Sequence, residues 1–534
     1  MKREDAFSGL SRREFLYWSG LGMAGMSLGG VPTLIHAEEK KPKYGGRLRI
    51  GDRIGSTGVD PHKHQDFSDY LKYCMIYGAL TEQGKLPEVE IYPMLAKSWE
   101  ISKDGKEYIF PLREGVKFHN GKEFDSGDVK YSIDRIMNPA TAAPRAFAFR
   151  WVDSVQALDK FSLKIKLKAP FAPFLSSLTL YNCPIIPAGW EPSGMKMPPG
   201  TGPYMVKSFV PNETTEYTRF DQYWEVDEKT GNRLPYIKDV FVQKIVDDTV
   251  RLAALRARDI DIAVGPPLNA LAKAVLEKPI PGIIMDDEPI GNNLIWFNVS
   301  KPPFDNKKVR QAFSYALNKK EILKAVFWGL GETINNQPFS KGSRFYIPVK
   351  DRETDLAKAK QLLAEAGYPK GFKTEFLEYS VNYYMAGAEV SIGQLRNLGI
   401  EAQMRAIDRA PYSSMMKSGN YAISLGNIEE KFDWDDALYL HFHSSEIGKN
   451  NFCRYGNPEL DALLEKGRTT WKLEDRVPIY QQVIEILAED VPVFFLYKPV
   501  QGSALRDYVK GYRKGFAFRL AWHGGGIKYW WIDK

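Results

Sequence analysis

Trp99-Glu100-Ile101-Ser102, then Asp104-Gly105, then Tyr108-Ile109-Phe110-Pro111-Leu112, and after these Phe124-Asp125-Ser126-Gly127-Asp128-Val129 decide how the fold is read. Asp-Gly between two alternating apolar runs is turn chemistry, and it predicts a hairpin at 99–112. Asp125 or Ser126 can cap a helix whose apolar face is Val129, Ile133 and Ile136. The stretch is mixed α/β.

The same alternation of strand and helix signals continues on both sides. Upstream, Gly46-Arg47-Leu48-Arg49-Ile50-Gly51 alternates as a short strand. Downstream, Leu163-Lys164-Ile165-Lys166-Leu167 does so again, and Gly200-Thr201-Gly202-Pro203-Tyr204 is a tight turn into a strand at Met205-Val206, with another near Tyr217–Arg219. Asp305 can cap a helix carrying Val309, Ala312, Phe313, Ala316 and Leu317 on one face. Asp355 can start a second with Leu356, Ala359, Leu363 and Ala366 inward, closed by Gly367 and blocked by Pro369. Asn457-Pro458 is a cap followed by proline at the first helical position. A last helix with Tyr480, Val483, Ile484 and Leu487 gives way to a strand at Val491–Tyr497. Two strongly apolar segments, Asn293–Asn298 and Val491–Tyr497, can carry the chain between lobes; a buried strand within one lobe fits either equally well.

The chain has 534 residues, more than one ordinary core accommodates, so at least two lobes are expected. Hydrophobic residues at 44% and charged residues at 26% are the balance of a soluble globular protein. A formal charge of +7 is mild for this length, and its Lys and Arg residues are scattered without a basic block, which argues against a nucleic-acid partner. Cys74, Cys183 and Cys453 are odd in number and far apart, so neither a zinc site nor a disulfide framework is indicated. Most of the 12 Trp, 28 Tyr and 29 Phe belong to cores and strands, and a minority should line a ligand cleft.

The first 37 residues read as an address rather than as fold. Ser11-Arg12-Arg13-Glu14-Phe15-Leu16 resembles the twin-arginine export motif, an apolar stretch follows from Trp18 to about Ile35, and Ala37 is the expected last residue before cleavage. Gly20-Leu21-Gly22-Met23-Ala24-Gly25 matches the dinucleotide fingerprint, but it follows no strand and falls in the segment to be removed. The mature protein is expected in the periplasm.

Several blocks, in order, resemble the extracellular solute-binding proteins of family 5, which serve peptide, nickel and opine importers. They are Pro93-Met94-Leu95-Ala96-Lys97-Ser98-Trp99, Leu112-Arg113-Glu114-Gly115-Val116-Lys117-Phe118-His119-Asn120-Gly121, Phe124–Val129, Gly200–Tyr204, Phe297-Asn298, Pro303-Phe304-Asp305, Val309-Arg310-Gln311-Ala312, Ala364–Tyr368 and Tyr455-Gly456-Asn457-Pro458. The resemblance runs from about Gly45 to Tyr497. It implies an α/β, two-lobed periplasmic-binding-protein clamshell of the large three-subdomain type, with two connecting strands at the hinge. After the signal at 1–37, lobe 1 is expected at 38–294 with an inserted subdomain at about 80–190, lobe 2 at 295–490, and a return to lobe 1 at 491–534. It further implies a monomer that captures a small polar ligand between its lobes and delivers it to the permease of an ABC importer. The leading ligand is a peptide or peptide-like compound; nickel or a metal chelate, an oligosaccharide and an opine are the alternatives.

Candidate ligand contacts follow from the same resemblance. Asp60 and His62 lie in a loop after the first strand, with a plain solvent-exposed loop as the alternative. In peptide-binding relatives a loop matching Gly426–Asp436 carries a tryptophan after the glycine and an aspartate for the peptide amino terminus. Here Asn427 stands for the tryptophan, either Glu430 or Asp433 supplies the carboxylate, and Trp434 either stacks on ligand or packs in the lobe. Trp296, Asn298, Tyr383 and Arg454 complete the set; Arg454 could hold a ligand carboxylate or make a surface ion pair. No cofactor and no metal ligand set is assigned, because His441 and His443, two apart on a helix, would point away from each other. No H-E-x-x-H, G-x-S-x-G or G-x-x-x-x-G-K-[ST] pattern occurs, so the chain is not read as an enzyme.

Overall fold

A fourteen-residue strand, Val493–Arg506, belongs to two half-sheets at once and organises the molecule. The computed structural model describes residues 41–534, apart from 64–66, 85–89, 180–182, 266–277, 279, 290 and 514–524. The export-like segment, the 20–25 glycine pattern, His64 and Trp522-His523-Gly524 lie outside the described residues.

The beginning of the long strand pairs with Asn292–Phe297, and beyond that strand follow Ile423–Ile428, Lys373–Tyr379 and Glu401–Ile407. Its end pairs with Ile262–Val264 and Ile283–Pro289, and then come Arg47–Asp52, Asp239–Lys244, Thr214–Arg219 and Tyr204–Val210. Together with Gly331–Thr333, which also pairs with the long strand, these form a twelve-stranded sheet. The apolar segments 293–298 and 491–497 therefore pair within one half-sheet. The chain crosses just beyond them, where Pro289 faces Val500 and Asn293 faces Tyr497. Gly291 sits between the two strands there at φ 79°, a left-handed angle that glycine adopts without strain.

A separate four-stranded sheet holds the hairpin Glu100–Ile101 and Glu107–Pro111, then Ser162–Leu167 and Val152–Asp159. The helix Ser126–Met137 packs on it and buries Val129, Ile133 and Ile136. This subdomain has its own core, from Leu80 to Ile185. Asp125 caps the helix and Asp128 closes a reciprocal capping box, so the local reading at 124–129 matches the structure. Asp355 and Asn457 also cap as expected, and Gly367 is left-handed at φ 90°.

Two local expectations differ. The helix Lys307–Ala316 is capped by Asn306, whose Oδ1 accepts from Lys308 N at 2.9 Å. Asp305 closes the preceding turn instead, its N–H bonded to Lys301 O at 3.0 Å. Val491 does not begin the strand: at φ 48° it caps the helix Leu473–Asp490, and the strand starts at Val493.

Candidate functional site

In the first half-sheet Arg47–Asp52 runs parallel to both of its neighbours, so Asp52, Lys244 and Val264 end on one edge. In the second, Lys373–Tyr379, Glu401–Ile407 and Ile423–Ile428 are parallel, and Ile428 pairs with Asn292 beside the crossing. Both half-sheets thus end their parallel strands toward the crossing, the side on which open α/β sheets bind ligands.

The inserted subdomain reaches across to the second half. Ser176 Oγ donates to Asp436 Oδ2 at 3.0 Å, Ala172 N to Arg468 O at 3.0 Å, and Arg344 to Glu90 at 2.9 Å. Between these ties lies an open cavity of about 220 Å³, walled by Trp99, Tyr108 and Ser176 on one side and Phe345, Asp433 and Trp471 on the other. Its aromatic lining with a few polar groups suits a small-molecule site. A second, much smaller cavity of about 30 Å³ lies within the first half alone, at the ends of its parallel strands, with Asp52, Ser56, Lys72 and Lys244 among its walls. Burial raises Asp52 there to about 6.

The wall of the larger cavity is built at the start of the helix Trp434–Phe442. Asp433 caps it, accepting from Asp435 N at 2.8 Å, and takes both Arg476 nitrogens at 2.5 and 2.6 Å. Two residues along, Asp435 takes Arg468 at 2.9 and 3.0 Å. Both pairs are almost fully buried, and bidentate geometry is what such pairs need to offset desolvation. Among the described residues the Asp436 carboxyl has the Ser176 hydroxyl as its hydrogen-bond partner. Burial, then the charges of Asp433 and Asp435, push its carboxyl up to about 7.

Of the sequence-nominated residues, the structure brings Asp433, Trp434 and Glu430 to this neighbourhood. Asp433 lines the cavity. Trp434 sits behind it, 1% exposed, donating to Phe345 O at 2.6 Å and stacked on Tyr480 at 4.7 Å. Glu430 is buried against Lys498 and Ser340, both at 2.7 Å. Asn427 is exposed beside the crossing and faces Asn293. Tyr383 opens the helix Asn382–Leu395, against Phe327 and Tyr384; burial raises its phenol, while the charges of Arg53 and Arg409 lower it.

The others are placed elsewhere. Asp60 is chelated by Arg135 at 2.6 and 3.0 Å. His62 accepts from Arg135 at Nδ1 and donates from Nε2 to Pro184 O, and burial holds it neutral, near 4. This trio ties the loop after the first strand to the inserted subdomain. Trp296 packs on His441 and Phe452, its indole over Gly426. Asn298 lies six residues past Asn292, about 20 Å along an extended chain, and bonds Gly419 O and Tyr421 O at 2.9 Å. Arg454 folds over Gly419 with its Nη1 3.4 Å from Lys417 O.

Sequence reasoning missed Trp99, Trp471 and Arg344 as cavity walls. Trp99 was legible only as part of a motif, and Trp471 and Arg344 belong to no motif read there. His441 is in the helix and bonds Asn450 O, and burial lowers it to about 4; His443 caps the next turn. Among the described residues no group of three or more His, Cys, Asp or Glu is placed to hold a metal ion. Cys74, Cys183 and Cys453 are all buried thiols. The arrangement is that of a binding cleft.

Comparison with known proteins agrees. Residues 90–450 match the model of the bacterial extracellular solute-binding proteins, family 5. The chain is 31% identical over 469 residues to the heme-binding protein A of Haemophilus influenzae, covering 82% of this chain and 84% of that one. It is 30% identical over 463 residues to the glutathione-binding protein GsiB of Pectobacterium atrosepticum, covering 83% and 87%. The structure of the periplasmic binding protein DppA from Helicobacter pylori, in complex with the peptide STSA, superposes with a TM-score of 0.78 at 28% identity, over 92% of this chain and 99% of that one. With its two half-sheets joined at one crossing and its cavity between subdomains, this chain is a two-lobed member of family 5 of the bacterial extracellular solute-binding proteins.

Proposed function

We propose that this protein works in the periplasm, capturing a peptide or peptide-like ligand between its lobes and presenting it to the permease of an ABC importer. The observation that carries the reading is the cavity between the inserted subdomain and lobe 2, spanned by Ser176–Asp436 and Glu90–Arg344. A ligand that touches both walls favours the closed form by its differential contacts, and a partner that recognises this form reads occupancy. Relatives named for glutathione and dipeptides, and a structural neighbour holding a tetrapeptide, support a ligand of this class. The motif at Ser11–Leu16 supports export in a folded state through the twin-arginine route.

The test is the melting temperature of the protein from Glu38 onward against di- to pentapeptides, glutathione, nickel with and without histidine, oligosaccharides and opines. A ligand at 100 times its Kd adds about 2.7 kcal/mol and raises the midpoint by a few degrees. A shift with peptides or glutathione is expected. A shift confined to another class, or hydrolysis of a peptide by the pure protein, overturns the reading.

A further inference from the structure

The charges that line the larger cavity are already spent on one another. Glu90 meets Arg344 at 2.9 Å at its rim, and Asp433 is held by Arg476 at 2.5 and 2.6 Å in its wall. Two carboxylates answer two guanidiniums, so the lining offers an entering group no uncompensated charge from these four residues. Aromatic surface lies between the pairs: Trp99, Tyr108, Phe345, Phe432 and Trp471. The two tryptophans come from opposite sides of the cleft. Trp471 lies against the hairpin turn, where a Cβ on Gly105 would sit 2.8 Å from its Cδ1. Among the described residues neither indole N–H of Trp99 or Trp471 has a hydrogen-bond partner. Trp434, in contrast, is committed to Phe345 O and to Tyr480.

We infer that this cavity is a subsite for an uncharged aromatic group, which in a peptide or peptide-like ligand is an aromatic side chain. The inference rests on the function proposed above and narrows it. A flat ring entering here finds partners for stacked and edge-on contacts on both walls, and an open cavity of about 220 Å³ leaves room for it. A carboxylate or ammonium group would give up its water for partners that are already engaged, a cost it cannot recover.

The decisive experiment has two arms. Calorimetry on the wild-type protein and on Trp471→Ala compares trialanine with its single-position Trp, Phe, Glu and Lys replacements. One aromatic position should bind at least about tenfold tighter than alanine, with Glu and Lys no better than alanine there. Trp471→Ala should erase that advantage, so that the aromatic peptide loses more affinity than trialanine does. Saturation-transfer NMR with N-acetyltryptophanamide against N-acetylalaninamide probes the cavity without any peptide. Selective contact by the tryptophan amide, lost in Trp471→Ala, upholds the subsite even if no peptide binds, an outcome that overturns only the peptide reading. Equal binding of aromatic and alanine peptides, an advantage that survives Trp471→Ala, or no selective contact by the tryptophan amide overturns the subsite.

Discussion

Ser176 Oγ and Asp436 Oδ2 lie 3.0 Å apart although 260 residues separate them in the chain, and this bond joins the subdomain of the four-stranded sheet to the second half of the molecule. The carboxyl it engages is raised to about 7 by burial and by the neighbouring Asp433 and Asp435, against the smaller opposing effects of Ser176 and Lys431.

Closure should therefore take up a proton. When the lobes part, water reaches Asp436 and its pKa falls toward the ordinary carboxylate range. Ligand affinity, measured by calorimetry, is expected to rise as pH falls from about 7 toward 4, by at most about tenfold per unit. Asp436→Asn should flatten the profile and bind more tightly than wild type at pH 8. An unchanged slope in that variant would show that Asp436 is not the group.

Asp433 and Arg476 test the wall itself. Arg476→Met leaves a buried carboxylate without its partner and should cost about 3–5 kcal/mol in urea denaturation. Adding Asp433→Asn to that variant should recover much of the loss, since the orphaned charge is then gone.

Glu378 is fully buried, its Oε1 accepting from Leu425 N at 2.8 Å while its Oε2 has no hydrogen-bond partner among the described residues. Burial raises it well above its ordinary value of 4.5. The unfolded chain ionises this group at a lower pH than the folded one, so native stability is lost as pH rises above about 4.5. Glu378→Gln should remove part of that slope and gain stability at pH 8, read from urea midpoints at pH 5 and 8.

Trp434→Ala should act on stability more than on recognition. Its ring is 1% exposed and packed between Phe345 and Tyr480, so truncation should cost about 3–5 kcal/mol. Trp434→Phe should keep much of the packing and lose the hydrogen bond to Phe345 O, with ligand affinity close to wild type.

Local features were legible in the sequence because their partners are close by. Asp125, Asp355 and Asn457 find their N–H groups within three residues, and the Asp104-Gly105 turn closes on its own strands. The cleft was harder to read for the opposite reason. Glu430 looks like an available carboxylate until Lys498, 68 residues on, is placed against it. Asp433 meets Arg476 across 43 residues, and Asp60 meets Arg135 across 75. Trp434 was ambiguous between ligand and core because only Tyr480 and Phe345 decide it. The family pattern located the loop, but which of its side chains stay available depends on distant neighbours.

The long strand Val493–Arg506 has a consequence for how the molecule comes into being. Each half-sheet takes it as a partner strand, and it follows every other strand of both half-sheets in the chain. While the ribosome is still making residues before 493, Asn292–Phe297 has its Ile423–Ile428 neighbour but presents an open edge where the last strand belongs, and Ile262–Val264 waits beside Arg47–Asp52 in the same way. Neither lobe can be cut out as a self-sufficient piece at residue 292 or 490. The nascent chain stays vulnerable to edge-to-edge association until Val493–Arg506 has emerged, and that one segment then completes both half-sheets together.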